Sequence, residues 1–172
     1  MQEVIQKAKA IRLLIFDVDG VLTDGSLFLG DDGQEYKAFN SRDGHGMKML
    51  QASGIDIAII TGRESKVVTV RMQSLGIRHV HQGAHDKLAV YDELRAHIGL
   101  EHDQIAYVGD DVVDLPVMRK TGLAIAVQDA HPLLLKHAHW QTPSVGGRGA
   151  GRDVCEMLMQ AQGTLDGMLA QY

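Results

Sequence analysis

The chain has 172 residues, 45% of them hydrophobic and 23% charged, with a formal net charge of −5, which is the make-up of an ordinary globular domain large enough to bury a core. The acidic balance excludes the basic footprint of a nucleic-acid binder, though a locally positive site can still face an anionic substrate. A single cysteine, Cys155, excludes an internal disulfide, no run of about 18 apolar residues is present to span a membrane, and the opening MQEVIQKAKAIRLL lacks the apolar stretch of a secretion signal. A cytoplasmic setting, with neither nucleic acid nor membrane as partner, is the expectation.

Short apolar runs alternate with amphipathic stretches along the chain. Residues 12–18 read as a buried strand, and 55–60 (IDIAII), 78–81, 104–108 (QIAYV) and 123–127 (LAIAV) as four more. Runs of this kind, bounded by glycine and polar residues, fit parallel strands covered on both faces. Helical patterns fall near 43–52, 64–75, 87–98, 112–120 and 132–138, and Gly54, Gly76, Gly99 and Gly122 stand where four of them should stop. A helix over 152–169 closes the chain and carries Cys155 on its apolar stripe. The alternation predicts an α/β fold, a doubly wound (Rossmann-like) parallel sheet, and a single domain over residues 1–172.

Two segments break the alternation. SLFLG and EYKAF flank GDDGQ, which predicts a β-hairpin over about residues 24–40. The stretch PSVGGRGAGR, residues 143–152, is rich in glycine and arginine and opens the C-terminal part, about 144–170. Its glycines lack the strand–turn–helix context of a dinucleotide fingerprint, and a disordered linker is a minority reading beside a tail that serves the site.

Ligands of open α/β sheets bind beyond the carboxyl ends of the strands. The first strand ends in Asp17-Val18-Asp19-Gly20, the second in Thr61-Gly62-Arg63 and the fourth in Gly109-Asp110-Asp111, with Asp114 one helical turn on; Lys87 opens the helix after the third. One edge thus gathers several carboxylates, a hydroxyl and a lysine. Carboxylates a few ångströms apart repel unless protonated or bridged by a cation, and a cluster of aspartate oxygens suits Mg²⁺. An aspartate can attack phosphorus while a lysine and a hydroxyl hold the transferring oxygens. A second aspartate two residues on lies on the same side of an extended strand and can move the proton.

These residues resemble the haloacid-dehalogenase-like phosphohydrolases, whose four motifs appear in order as DVDGVLT, Thr61 after an apolar strand, Lys87, and GDDVVD ending at Asp114. The resemblance implies Asp17 as nucleophile, Asp19 as acid/base, Thr61 and Lys87 as phosphoryl ligands, and Mg²⁺ on Asp17, the backbone carbonyl of Asp19, and Asp110, supported by Asp111 or Asp114. Neither the stretch after the first strand nor that before Lys87 is long enough for a cap domain, and VLTDG, Arg42-Asp43-Gly44, ITGR and Gly146–Asp153 match a capless branch acting on small acidic sugar phosphates, with Asp153 in place of the branch's Glu. The branch implies hydrolysis of 3-deoxy-D-manno-octulosonate 8-phosphate for the lipopolysaccharide inner core, or of a nine-carbon sialic-type 9-phosphate. It also implies a homotetramer built through the hairpins, with neighbouring subunits and tails shielding the site, and with Gly62, Arg63, Arg148 and Arg152 meeting the substrate or closing over it.

Other readings of the same residues are weaker. A calcium loop starting at Asp17 would put Val21 and Phe28 at ligand positions. Asp110, Asp111 and Asp114 can serve as helix caps without excluding chemistry. The nine histidines show no zinc-site spacing, which leaves His85 as a polar contact near the mouth. A phospho-receiver domain also combines acidic residues, a threonine and a lysine, but its acceptor aspartate ends the third strand, and Asp19 has no counterpart there.

Overall fold

The computed structural model describes residues 1–172. In chain order the elements are α1 (Gln2–Ala10), β1 (Leu13–Phe16), β2 (Phe28–Leu29), β3 (Glu35–Tyr36), α2 (Ser41–Ala52), β4 (Asp56–Ile60), α3 (Lys66–Ser74), β5 (His79–His81), α4 (Lys87–Ile98), β6 (Ile105–Gly109), α5 (Leu115–Met118), β7 (Leu123–Ala126), α6 (Pro132–Leu135), β8 (Trp140–Gln141), α7 (Ala150–Ala161) and α8 (Leu165–Leu169). Six strands form one sheet in the order β5-β4-β1-β6-β7-β8, and every pairing in it is parallel. The chain winds outward from β1 through β4 to β5, then crosses back to β6 and onward. Right-handed crossovers therefore place α2 and α3 on one face of the sheet and α4 and α5 on the other. All residues of β1, β6 and β7 are buried, as strands covered on both faces require. The fold is α/β and doubly wound, with a two-stranded antiparallel hairpin, β2–β3, after the first strand.

Several elements differ from the sequence pattern. The pattern at 112–120 becomes a 3₁₀ turn over Val112–Asp114 followed by the single-turn α5; Pro116, without an N–H to donate, is tolerated only in a helix's first turn. The closing helix is two helices, because Gly163 takes a φ of +72° between α7 and α8. Helix α1 and strand β8 add to the elements expected from the sequence. α1 buries only Val4 and Ala8, and the two residues of β8 extend the sheet beside β7. Gly54, Gly76 and Gly99 take positive φ after their helices, whereas Gly122 does not. A Cβ at Gly122 would fall 2.4 Å from Asp103 Cα, so close backbone contact explains it.

The glycine–arginine segment is a packed strap. Gly147 N–H donates to Val21 O at 2.9 Å, and Gly146 N–H donates to Asp129 Oδ1 at 2.9 Å. A Cβ at Gly146 would lie 1.8 Å from Gly20 O, so only glycine admits this backbone-on-backbone approach. Asp43, from the RDG run, accepts from Arg152 N–H at 2.9 Å and fixes the first turn of α7 on α2. α7 in turn buries Val154, Cys155, Leu158 and Met159 completely, and they belong to the same core cluster as β1 and β4. The segment over residues 146–161 is therefore part of the core of the fold and not a detachable lid.

Candidate active site

The strand order reverses beside β1, and the carboxyl ends of β1, β4 and β6 converge there. Asp17 continues the ladder one residue past β1, its N–H donating to Val108 O at 3.1 Å. Its Oδ1 accepts from Val18 N–H at 2.6 Å and its Oδ2 from Lys87 Nζ at 2.6 Å. Lys87 is the first residue of α4, whose cap is the Asp86 side chain. The same ammonium donates to Asp114 Oδ1 at 2.7 Å.

Asp114 is the hub of the floor. It is fully buried, and besides Lys87 its Oδ1 accepts from Tyr107 OH at 2.6 Å. Its Oδ2 accepts from the N–H groups of Asp110 at 3.0 Å and Asp111 at 3.2 Å. With four donors on two oxygens its acceptor capacity is filled, so it orients Lys87 and the turn that presents Asp110. Asp111 turns its carboxylate to Val112 N–H and caps the 3₁₀ turn. Gly20 has a φ of +88°, and a Cβ there would overlap Asp110 Oδ2 at 2.1 Å. The glycine after the paired aspartates is what lets Asp110 reach the first strand's loop.

The oxygens of Asp17, Asp110 and Asp114 come within 4.8 Å of one another. Burial, then the neighbouring Asp114 charge, pushes Asp17 up to about 6 despite Lys87. Burial, then Asp114 and Asp17, pushes Asp110 up to about 8. Burial alone would lower the Lys87 ammonium, but Asp17 and Asp114 outweigh it and hold it raised. The floor thus carries more negative charge than its one lysine offsets, and its donors are hard oxygens; both features fit a divalent cation such as Mg²⁺.

Thr61, at the end of β4, is buried. With Asp17, Lys87 and Asp110 it lines a cavity of about 280 Å³, whose mouth is formed by Asp19, Gly62, Arg63 and His85. A wider groove of about 810 Å³ between the hairpin and α3 holds no such cluster of carboxylates and lysine. At the mouth Asp19 pairs with Lys37 of the hairpin, and Arg63 Nε lies 3.9 Å from Asp19 Oδ2. Arg63 also donates to Glu35 Oε1 at 2.8 Å. Arg148 and Arg152 are not brought to this cavity. Arg148 is mostly exposed and pairs with Asp24 at 3.3 Å, and Arg152 pairs with Glu156 one turn along its own helix.

Tyr107, Glu35 and Lys37 were not singled out by sequence. A tyrosine inside an apolar strand signals a buried hydroxyl that needs a partner, and that signal was available for Tyr107. The i, i+2 placement of Glu35 and Lys37 puts them on one face of the hairpin, but nothing local says which way that face turns.

The sheet order, the paired aspartates after β1 and the lysine at the head of α4 define a haloacid dehalogenase-like hydrolase, and the family model of that description matches residues 65–150. The 3-deoxy-D-manno-octulosonate 8-phosphate phosphatase KdsC of Yersinia pestis is 53% identical over 96% of this chain and 88% of its own length. A probable YrbI family phosphatase from Pseudomonas syringae superposes with a TM-score of 0.98 at 50% identity, over 100% of this chain and 98% of that one. The Moraxella catarrhalis 3-deoxy-D-manno-octulosonate 8-phosphate phosphatase, determined with magnesium, phosphate and KDO, gives a TM-score of 0.97 at 42% identity, over 99% and 98% of the two chains. The chain belongs to the KdsC family of haloacid dehalogenase-like phosphatases.

Proposed function

We infer that the protein is a Mg²⁺-dependent phosphatase that removes phosphate from 3-deoxy-D-manno-octulosonate 8-phosphate. The observation that carries this reading is the buried Asp17–Lys87–Asp114 network with Asp110 beside it, in a chain 42% identical to an enzyme solved with magnesium, phosphate and KDO. A carboxylate of Asp17 attacks phosphorus, and the bond from phosphorus to the sugar oxygen breaks. Asp19 gives its proton to that leaving oxygen, then takes one from the water that attacks the aspartyl-phosphate, releasing inorganic phosphate and restoring Asp17. Lys87 and the Thr61 hydroxyl hold phosphoryl oxygens. Asp17, Asp110 and the backbone carbonyl of Asp19 would hold Mg²⁺, which when bound offsets the negative charge of the site and of the phosphate. Arg63, at the mouth beside Gly62, faces the sugar carboxylate. Arg148 and Arg152, outside this chain's cavity, would serve substrate only from a neighbouring subunit.

We also propose a single domain over 1–172, working in the cytoplasm in lipopolysaccharide inner-core synthesis, and assembled as a homotetramer. Support for assembly lies in the hairpin, which exposes Leu27, Phe28, Leu29 and Tyr36, an apolar set that water disfavours and a second copy can cover. The test is a kcat/KM panel with Mg²⁺ over octulosonate 8-phosphate, a nine-carbon sialic-type 9-phosphate and hexose phosphates. The eight-carbon substrate is expected to lead by roughly tenfold or more, the scale that one well-matched pocket contact supplies. Equal turnover of hexose phosphates would sink the assignment.

A further inference from the structure

The hairpin brings one side chain into the reaction centre. The Lys37 side chain is 1% exposed, and its only acceptors are Asp19 and, at 3.3 Å, Glu35. A buried ammonium is costly unless paired, so Lys37 stays buried only while those carboxylates face it. The dependence runs both ways, since Lys37 is the only hydrogen-bond partner of the Asp19 carboxylate. Strand alternation explains the geometry. Glu35, Lys37 and Phe39 turn inward while Tyr36 and Ala38 are exposed, and Glu35 ties the same face to Arg63 at 2.8 Å.

We propose that Lys37 is a positioning residue for the acid/base, holding the Asp19 carboxylate at the cavity mouth, toward the leaving oxygen and away from the Asp17–Asp110 pair. Strand β1 aims the nucleophile, and the hairpin aims the proton donor. This rests on the phosphatase reading above. It also gives the hairpin a catalytic reason to be present, separate from any role in assembly.

The test separates proton donation from general damage. kcat/KM reports the steps through loss of the leaving group. A sugar phosphate needs its leaving oxygen protonated, whereas the nitrophenolate of 4-nitrophenyl phosphate leaves without a proton. With Mg²⁺ present, Lys37→Met is expected to lose at least about tenfold more kcat/KM on the sugar phosphate than on 4-nitrophenyl phosphate, and Lys37→Arg should recover most of the difference. Melting curves with and without Mg²⁺ should show a folded protein that still responds to the ion; if Lys37→Met does not fold, Lys37→Gln carries the same comparison. Equal losses on both esters, or no loss, would overturn the Lys37 assignment alone. A wild-type protein that hydrolyses neither ester would overturn the phosphatase reading and this one with it.

Discussion

The floor and the mouth of the cavity are built in opposite ways. On the floor, Asp17, Lys87, Tyr107 and Asp114 are buried and joined by hydrogen bonds of 2.6–2.7 Å, each residue sitting in or beside a strand or helix of the main sheet. At the mouth, Asp19, Glu35, Lys37 and Arg63 are charges held by one another, two of them on a hairpin whose strands are two residues long. The floor is rigid because unpairing any member leaves a buried charge. The mouth is held mainly by charge pairing across the chain; Arg63 is nearly half exposed and is free to vary, whereas the Asp19–Lys37 pair is tied to proton transfer. The nucleophile and its cation therefore belong to the floor, and the proton donor to the mouth.

The largest expected effect breaks the floor. Lys87→Met removes the only cation bonded to both Asp17 and Asp114, and turnover with Mg²⁺ should fall by about 10²–10³, the scale of losing one preorganised charge donor. Stability should respond to pH as well. Asp17 and Asp110 already sit at about 6 and about 8, above their ordinary value of 3.8, so the folded protein keeps protons that the unfolded chain has released. Their contribution to stability is present at low pH and is lost as pH rises through about 6 and then about 8. Without Lys87 both carboxylates rise further. In metal-free protein the gap in melting temperature between wild type and variant should widen from pH 5 to pH 8. A gap that does not depend on pH would mean that Lys87 does not balance the floor.

The next effect tests how floor and strap are coupled. Gly146→Ala puts a methyl where Gly20 O stands, 1.8 Å away, and neither backbone has a side chain to swing aside. Relief requires moving the loop that carries Asp19 and Gly20, against which Asp110 packs. The expected cost is about 1–3 kcal/mol, as for overpacking generally, which at about 2–4 °C per kcal/mol for a chain of this size is several degrees in melting temperature, with a drop in turnover of about tenfold. Unchanged turnover in a destabilised variant would show that the strap supports the fold without positioning the site.

How much of this was legible in the sequence follows the same division. Asp17, Thr61, Lys87, Asp110 and Asp114 could be placed at one edge because apolar strands end where polar residues begin, and that boundary is local. The parallel sheet followed from runs such as LLIF and LAIA, which are buried throughout. What stayed hidden depends on long-range approach. Lys37 meets Asp19 across 18 residues and Gly146 meets Gly20 across more than a hundred, and no periodicity encodes either. The packing of the strap stayed hidden because glycine signals freedom and close packing with the same letter, and only the neighbouring backbone decides between them. Helix α1 was legible in principle, since Val4, Ala8 and Ile11 are buried at helical spacing along one face.

The smallest expected effect lies outside the cavity, and it tests whether the mouth ends with this chain. The Arg148 side chain is 68% exposed and its one carboxylate partner is Asp24 at 3.3 Å, where an ion pair contributes about 0–1 kcal/mol. If the cavity of this chain is complete by itself, Arg148→Ala should shift the melting temperature by at most about 1–3 °C and change kcat/KM by less than about twofold, within the small range usual for surface substitutions. A rise in KM of tenfold or more at constant kcat would instead mean lost ground-state binding. The geometry within one chain has no route to that result, because Arg148 does not line the cavity. A neighbouring subunit would then have to supply the guanidinium, and in mixed assemblies of wild-type and variant chains the KM defect would grow with the share of neighbours lacking Arg148.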